Sequence, residues 1–576
     1  MNTKLIKSTN FIGRLMLLFG VMLTLALIVP NITFSQNQGR PVSIAINNQV
    51  NPTMTTDGSG GSIITWQDKR SGKYEIYAQR MNPNGNPMWT TNGIPICTLD
   101  SSFNPVIVSD DLGGAIIAWE TYRGSVTTDI FAQRVNSSGA VQWTLNGIPI
   151  CTDVFNQDTI AMISDGFGGA ILTWQDYRTN TGNPQIYTQR MNSIGTMLWT
   201  ANGVGICTHA APALGPKIAS DGLGGAFITW YDKRAGDYDI YTQRIATAGA
   251  VVWTTNGVAT CTFATDQIKP DICSDGAAGV IIVWSDYRST TDYNIYAQRQ
   301  GPLGAIVWAV DGVVMNNNVA FDQTEPKIVS DGLSGAIISW TDNRTGVAPG
   351  TADIYAQRVN TSGTVQWTTT GIIICTAAGD QIKSQLVSDG NHGAYIAWED
   401  HRNILTGDSS DVYAQRISSD ATINWTADGF AICDTANKQM NPMIISNGNN
   451  GAIVVWQDYR SGNNFDIYMN GFNTLGIITA IGNNGTVNPT DFALLQNYPN
   501  PFNPVTVINY QLPMTSNVKL SIYDALGKEV NILVNESQSA GDYKVEWNAS
   551  AYPSGVYFYT LEAGSFVSNK KMMLIK

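Results

Sequence analysis

The 576-residue chain has only three His, seven Cys and 14% charged residues. His209, His392 and His401 stand at no recognisable ligand spacing, so a His-based metal centre has little to be built from. Basic residues are scarce as well: 33 Lys and Arg against 45 Asp and Glu give a formal charge of −12. A nucleic-acid binder needs a basic footprint, so no nucleic-acid partner is expected. No nucleophile elbow, phosphate-binding loop or metal-ligand motif is present, and no cofactor is implied. After residue 30 no long apolar run occurs, so no transmembrane segment is expected in the mature chain. Nor does any segment beyond the leader keep a helical hydrophobic period. What the chain does have is 55 Gly and 16 Trp.

The first 35 residues read as an address. Lys4, Lys7 and Arg14 precede an apolar run from Leu15 to Pro30, followed by Thr33-Phe34-Ser35-Gln36. A basic start, a short apolar stretch and small residues before the cut describe a secretory signal peptide, with cleavage expected after Ser35. The competing reading is a membrane anchor, but the run is short of the ~20 residues a spanning helix needs. Removing those three basic residues takes the charge from −12 to −15.

The rest is largely one phrase repeated. Ser164-Asp165-Gly166-Phe167-Gly168-Gly169-Ala170 leads into Thr173-Trp174-Gln175-Asp176-Tyr177-Arg178, and Ser220 to Arg234 says nearly the same. The Trp of this phrase recurs as Trp66, Trp119, Trp174, Trp230, Trp284, Trp340, Trp398 and Trp456, at intervals of 53 to 58 residues. A second Trp recurs at 89, 143, 199, 253, 308, 367 and 425. Each unit divides into four short segments of strand character. In one they are Pro105 to Val108, Ala115 to Trp119, Asp129 to Arg134, and Val141 to Trp143 continuing to Cys151, with a glycine turn after the first. Four-stranded units repeated at this period predict an all-β fold, an eight-bladed β-propeller over residues 36–485. The first unit starts late and the last stops early. The N-terminal Pro41-Val42-Ser43, which matches the end of a unit, is therefore expected to supply the last blade's missing strand and close the ring.

Alternation along a strand would put Trp66, Asp68 and Arg70 on one face. Arg70, Arg123, Arg178, Arg234, Arg288, Arg344, Arg402 and Arg460 occur in every unit, and Thr121 replaces the Asp once. One reading is an Asp–Arg pair that ties each blade together. The other is an Arg ring that binds an anion in the central channel. Residues repeated in every blade usually build the blade, which favours the first. The Asp-led turns offer one or two carboxylates each, too few for calcium, and Asp caps its own turn amides readily. Six Cys share one repeat position and Cys273 another, which suggests buried fillers rather than disulfides. Symmetry breaks in the loop after the Arg, which is short at Ser71 to Tyr74 and longer at Thr179 to Pro184, Thr345 to Ala352 and Asn403 to Ser410. That loop face is the candidate binding surface for a glycan, polymer or protein.

From residue 496 the text changes, after a linker at 486–495. Here six basic and six acidic residues balance, so the acidic excess lies on the repeats and linker. Short alternating strands suggest a small Ig-like sandwich. Four marks stand out: Pro499-Asn500-Pro501-Phe502-Asn503-Pro504, Gly527 to Val530, Gly555 to Tyr557, and Lys570-Lys571 with Lys576 at the end. This segment resembles the type A C-terminal sorting domain of the type IX secretion system. The resemblance implies a Gram-negative bacterium, the type IX machinery as partner, and a product that is secreted or held at the outer surface. The repeats are similar to arrays in exported bacterial proteins of unassigned role. The reading that follows is a non-enzymatic exported binding or scaffold protein. A sialidase-like glycosidase and a structural surface-layer component are the alternatives. The sialidase box Ser-x-Asp-x-Gly-x-x-Trp is not in register, since Trp174 stands nine residues after Asp165 rather than five.

Overall fold

The computed structural model describes residues 38–122, 127–179, 182–317, 320–346, 350–403, 409–479, 492–497, 500–538, 541–564 and 566–576. The signal-peptide reading of residues 1–35 lies outside these. Two compact units divide the chain, 1–481 and 482–576. The sequence-based boundary at 485 falls among residues outside the described ones.

The chain is all-β. The first unit contains eight four-stranded antiparallel sheets in a propeller-like arrangement. Sheet 1 consists of Gln49–Thr56, Ser62–Asp68, Glu75–Met81 and Ile94–Cys97, laid side by side in chain order. Sheets 2 to 7 repeat this plan, with first strands Ser102–Ser109, Gln157–Ser164, Ala213–Ser220, Gln267–Ser274, Gln323–Ser330 and Gln381–Ser388. Sheet 8 takes three strands from the C-terminal side, Gln439–Ser446, Gly451–Asp458 and Asp466–Asn473, and its fourth from Arg40–Ser43 at the other end of the unit. Each first strand touches the first strand of the next sheet, and that of sheet 1 touches that of sheet 8.

The second strands are apolar at both faces and are buried throughout in most sheets, as in Ala170–Asp176. A strand covered on both sides reads as a continuous apolar run rather than an alternating one. Here the covers are the neighbouring sheets, because the buried residues cluster across consecutive sheets: Trp230 packs with Ile171 and Ile186 of the sheet before. A glycine precedes each fourth strand for a steric reason. A Cβ on Gly93 (φ +84) would lie 2.5 Å from the Trp66 ring, and one on Gly39 (φ +70) 2.5 Å from the Trp456 ring. The N-terminal segment thus seats against sheet 8 as an ordinary fourth strand does against its own sheet.

Two sequence expectations need correction. The fourth strand of sheet 2 is only Ile148–Cys151; Val141 makes a single bridge to Val135, and Trp143 stays in the loop. Asn146 and Gly147 both have positive φ and reverse the chain between them, so the strand cannot run through. Arg70 also lies beyond its strand, which stops at Asp68. Trp66 and Asp68 do share a face, but Arg70 reaches back to them from the turn.

The second unit has a three-stranded sheet (Ala493–Leu494, Val505–Leu512, Gly541–Asn548) and a four-stranded one (Glu529–Gln538, Ser516–Tyr523, Gly555–Ala563, Phe566–Leu574). Tyr510, Leu520, Trp547 and Tyr559 are buried in its own core.

Candidate functional site

The repeated residues are consumed by the sheets themselves. Trp66 Nε1 donates to Asp68 Oδ2 at 2.8 Å, and Arg70 Nε donates to Asp68 Oδ1 at 2.8 Å. The guanidinium lies 3.9 Å above the Tyr77 ring and also donates to the Asn92 carbonyl. The same set recurs at Arg178, Arg234, Arg288, Arg344, Arg402 and Arg460, each paired with the Asp two residues before it. Arg123 lies outside the described residues. These cations sit against the third and fourth strands of their own sheets, on the far side from the first strands. In sheet 2, where Thr121 replaces the Asp, Trp119 Nε1 is buried with no partner among the described residues.

The cysteines belong to the same layer. All seven are free thiols. Cys151, Cys207, Cys375 and Cys433 each lie near the Arg–Asp pair of the following sheet, and Arg178 Nη2 is 3.3 Å from Cys151 Sγ. Burial pushes the Cys207 thiol up to about 11 and those of Cys151, Cys375 and Cys433 to about 12, so they stay protonated. The turn carboxylates are equally occupied. Asp57 Oδ1 accepts from the amides of Ser59 and Gly61, and Oδ2 pairs with Arg80 at 2.9 Å. The third-strand Arg of this pair was missed by reading the turn alone. Sheet 8 carries Asn447 at the turn and Gly471 where Arg80 stands, so both partners are lost together. Among the described residues no group of three or more His, Cys, Asp or Glu could hold a metal ion.

The place where the eight sheets differ is their shared centre. A cavity of about 880 Å³ is lined by residues from all eight first strands, beginning with Asn51, Pro52 and Thr53. Gln49 pairs with Asp68, so this end of the first strand is also the end that bears the loop after the Arg. The long loops there fall partly outside the described residues at 180–181, 347–349 and 404–408. Every first strand bulges at the lining position. Asn51, Asn104, Thr159, Gly215, Lys269, Glu325, Lys383 and Asn441 all have φ between 47° and 60°. Asn and Gly adopt that conformation readily, whereas Thr159, Lys269, Glu325 and Lys383 hold it at a cost of about 1–2 kcal/mol each.

The bulge amides are capped across the sheet boundary. Gln67 Oε1 accepts from Asn104 N at 3.0 Å, Glu120 Oε1 from Thr159 N at 2.9 Å, and Gln175 Oε1 from Gly215 N at 2.8 Å. Glu399 caps Asn441 and Gln457 caps Asn51 in the same way. At the three boundaries between, the capping position holds Tyr231, Ser285 and Thr341, and among the described residues no side-chain acceptor meets the amides of Lys269, Glu325 and Lys383. Ser285 Oγ and Thr341 Oγ1 are buried without a partner among the described residues.

Charge on the wall is unevenly spread. Lys217, Lys269, Lys327 and Lys383 come from sheets 4 to 7 in succession, with Glu325 of sheet 6 among them, while Glu120 and Asp158 come from sheets 2 and 3. Only eight Lys occur between residues 36 and 485, so half of them line this one cavity. Burial above all, with Asp158 adding to it, pushes the Glu120 carboxyl up to about 7. Sequence reasoning looked for broken symmetry in the loops and missed it here. The available signal was the Pro that follows the bulge in six units (52, 105, 216, 270, 326, 442), since Pro inside a strand marks a bulge or an edge.

In the C-terminal unit the four sequence marks meet in two places. Asn500 Oδ1 accepts from Met573 N at 2.9 Å, and Phe502 exchanges backbone hydrogen bonds with Met573 and Ile575. The Pro501-to-Pro504 start, with Asn503 inside it, is thereby zipped to the strand that carries Lys570 and Lys571, and Pro504 O accepts from Ala549 N. Pro499 lies outside the described residues. Gly527 (φ +81) closes a turn that Asp524 caps, Tyr552 donates to the Val530 carbonyl, and Tyr557, two residues after Gly555, donates to the Pro553 carbonyl. Lys576 Nζ donates to the Ser550 carbonyl at 2.7 Å.

Fold and site together define an all-β repeat protein with a central cavity lined from every sheet, followed by a separate C-terminal unit that carries its address. Residues 496–576 match the family described as the Secretion system C-terminal sorting domain. That domain implies export to the cell surface or beyond and engagement of the type IX secretion machinery. Among the described residues no helix is long and apolar enough to cross a membrane. A search of curated proteins gives no match. Similar solved structures include a protein of unknown function from Dyadobacter fermentans, 10% identical over 56% of this chain and 96% of that one, with a TM-score of 0.32. PorZ of Porphyromonas gingivalis, a surface component of the type IX secretion system, is 11% identical over 92% of this chain and 75% of its own, with a TM-score of 0.30. An α-L-arabinanase of Penicillium chrysogenum is 12% identical over 56% of this chain and 97% of its own, with a TM-score of 0.31.

Proposed function

We propose that this is an exported, non-enzymatic binding protein. Its eight sheets form one closed eight-bladed propeller, and its sorting domain, an Ig-like sandwich, delivers that ring to the outer surface after the signal peptide is removed. The ligand enters the central cavity from the loop-bearing end. One observation carries this reading: the side chains that repeat in every sheet are tied up within the sheets, while the side chains that differ between sheets converge on a single cavity. The cavity's volume lies within the ~300–1,000 Å³ range of ordinary ligand sites. The test is a screen of the full chain against glycans, polysaccharides and proteins with a hydrolysis assay alongside. Saturable binding without turnover supports the reading, and no binding to any probe leaves a structural surface-layer role. For the address, deletion of 496–576 should trap the protein in the periplasm, and normal surface delivery of that truncation would remove the claim.

A glycosidase is the second reading, and one observation favours it. Glu120, with a carboxyl pushed to about 7, shares the cavity with Asp158. Two carboxyl groups facing one cavity, one of them with a raised pKa, are what glycoside hydrolysis uses. Against it stands the capping role that Glu120 shares with Gln67, Gln175 and Gln457. Turnover of any glycan that disappears in Glu120→Gln would establish the hydrolytic reading in place of the binding one.

A further inference from the structure

We infer that the basic arc of the ring cavity is the subsite for the carboxylate or sulfate groups of an acidic saccharide chain. This rests on the cavity being the binding site proposed above and names what it binds. Lys217, Lys269, Lys327 and Lys383 bring four ammonium groups to one wall of a protein whose overall charge is −12. Two of the four are already engaged. Lys269 pairs with Glu325 at 3.2 Å, and Lys383 pairs with buried Glu399 at 3.2 Å. Lys217 and Lys327 form no ion pair among the described residues, and both are half-buried. Burial holds the Lys217 ammonium below the usual lysine range; Asp271 on the strand between partly offsets this, and Lys327 adds to it. A half-buried ammonium without an ion-pair partner is costly to the empty protein, and groups held at such a cost cluster at functional sites.

The backbone points the same way, independently of the lysines. At five sheet boundaries a Gln or Glu fills the bulge amide's need for an acceptor. At three consecutive boundaries it does not, and those amides belong to Lys269, Glu325 and Lys383 on the basic arc. Backbone N–H groups beside ammonium groups are the donors an oxyanion takes. The wall opposite, from sheets 8, 1, 2 and 3, carries the carboxamides of Asn441, Asn51 and Asn104 together with the carboxyls of Glu120 and Asp158. Carboxamides both donate and accept, which suits the hydroxyls of a sugar ring.

Titration calorimetry on the full chain tests this with oligogalacturonate (carboxylate), chondroitin sulfate oligosaccharides (sulfate), neutral dextran oligosaccharides and a short single-stranded DNA. Oligogalacturonate, chondroitin sulfate or both should bind, and more weakly as NaCl rises from about 20 to about 200 mM. The double variant Lys217→Met, Lys327→Met should weaken that binding about tenfold or more, the loss expected when charged hydrogen-bond partners are removed. The same variant should melt no lower than the parent, because it removes repulsion rather than a structural pair. Asp271→Asn should tighten binding, and Lys519→Gln, in the C-terminal unit, should leave it unchanged. Undiminished affinity in the double variant overturns the inference, as does DNA binding as tightly as the acidic saccharides, or failure of both acidic saccharides. Binding of dextran alone would overturn this subsite and leave the binding reading standing. Cleavage of oligogalacturonate would do the reverse.

Discussion

Each sheet of the ring holds two layers built on opposite terms. In the second and third strands and the turn between them, Trp, Asp, Arg and Tyr recur almost unchanged from sheet to sheet, and outside sheet 2 the indole N–H and guanidinium of each set both bond the same carboxylate. In the first strands, which line the cavity, the lining position runs Asn, Asn, Thr, Gly, Lys, Glu, Lys, Asn, and three of the bulge amides meet no side-chain acceptor among the described residues. The difference teaches how to divide a repeat protein. Identity at every copy signals what makes a copy, and departure at a shared position signals what the copies jointly face.

Substitutions in the two layers should therefore pull in opposite directions. Asp232 accepts from Trp230 Nε1 at 2.8 Å and pairs with Arg234. Asp232→Ala leaves a buried indole N–H and a guanidinium without their acceptor, a loss of about 3–5 kcal/mol in chemical denaturation. Lys217→Met in the first-strand layer should cost nothing or stabilise. Equal losses at the two positions would erase the distinction between layers.

Sheet 2 offers a finer contrast, since it is the one copy in which the Trp–Asp–Arg set lacks its carboxylate. Trp119 lacks the carboxylate its seven counterparts have, and Thr121 instead accepts from Ser102 Oγ at 3.1 Å. Thr121→Asp should supply the missing acceptor and raise stability by about 1 kcal/mol, the net worth of one buried hydrogen bond. Destabilisation by that change would mean the Ser102–Thr121 bond has replaced the original arrangement rather than merely followed its loss.

How much of this could be read from the sequence follows from the same division. Periodicity exposes whatever repeats, so the two Trp positions, the Asp–Arg phrase, the glycine turns and the strand borrowed from residues 40–43 were all legible. The pairing of Asp57 with Arg80 was not, because the two residues stand 23 positions apart and meet only when the third strand folds back along the first two. The cavity was illegible for a different reason: its residues come a few from each sheet, their bulge positions spread over about 390 positions from Asn51 to Asn441, and only their shared register makes them neighbours. The sorting domain was readable at once from its four marks, yet not the contact between its two ends, where Asn500 meets Met573.

The smallest expected effect concerns carboxyls at the border of the repeated layer, where the third strand begins. Asp239 lies across the ladder from Asp232. Burial first, then the neighbouring Asp237 and Asp232, push its carboxyl up to about 7. Asp353, Asp411 and Asp466 occupy the same place in sheets 6, 7 and 8 and are pushed, mainly by burial, to about 6. In the unfolded chain such groups titrate near ~3.9. Between about pH 4 and about pH 7 the folded state therefore binds more protons than the unfolded one, so these groups make stability fall as pH rises through that window. Sheets 3 and 5 carry Gln185 and Asn294 at the equivalent position and contribute no such slope. Thermal unfolding should thus show a higher midpoint at about pH 5 than at about pH 7.5, and Asp239→Asn should raise the midpoint at the higher pH only. A variant that shifts both midpoints equally would show the carboxylate to be solvated and would place this border outside the repeated layer.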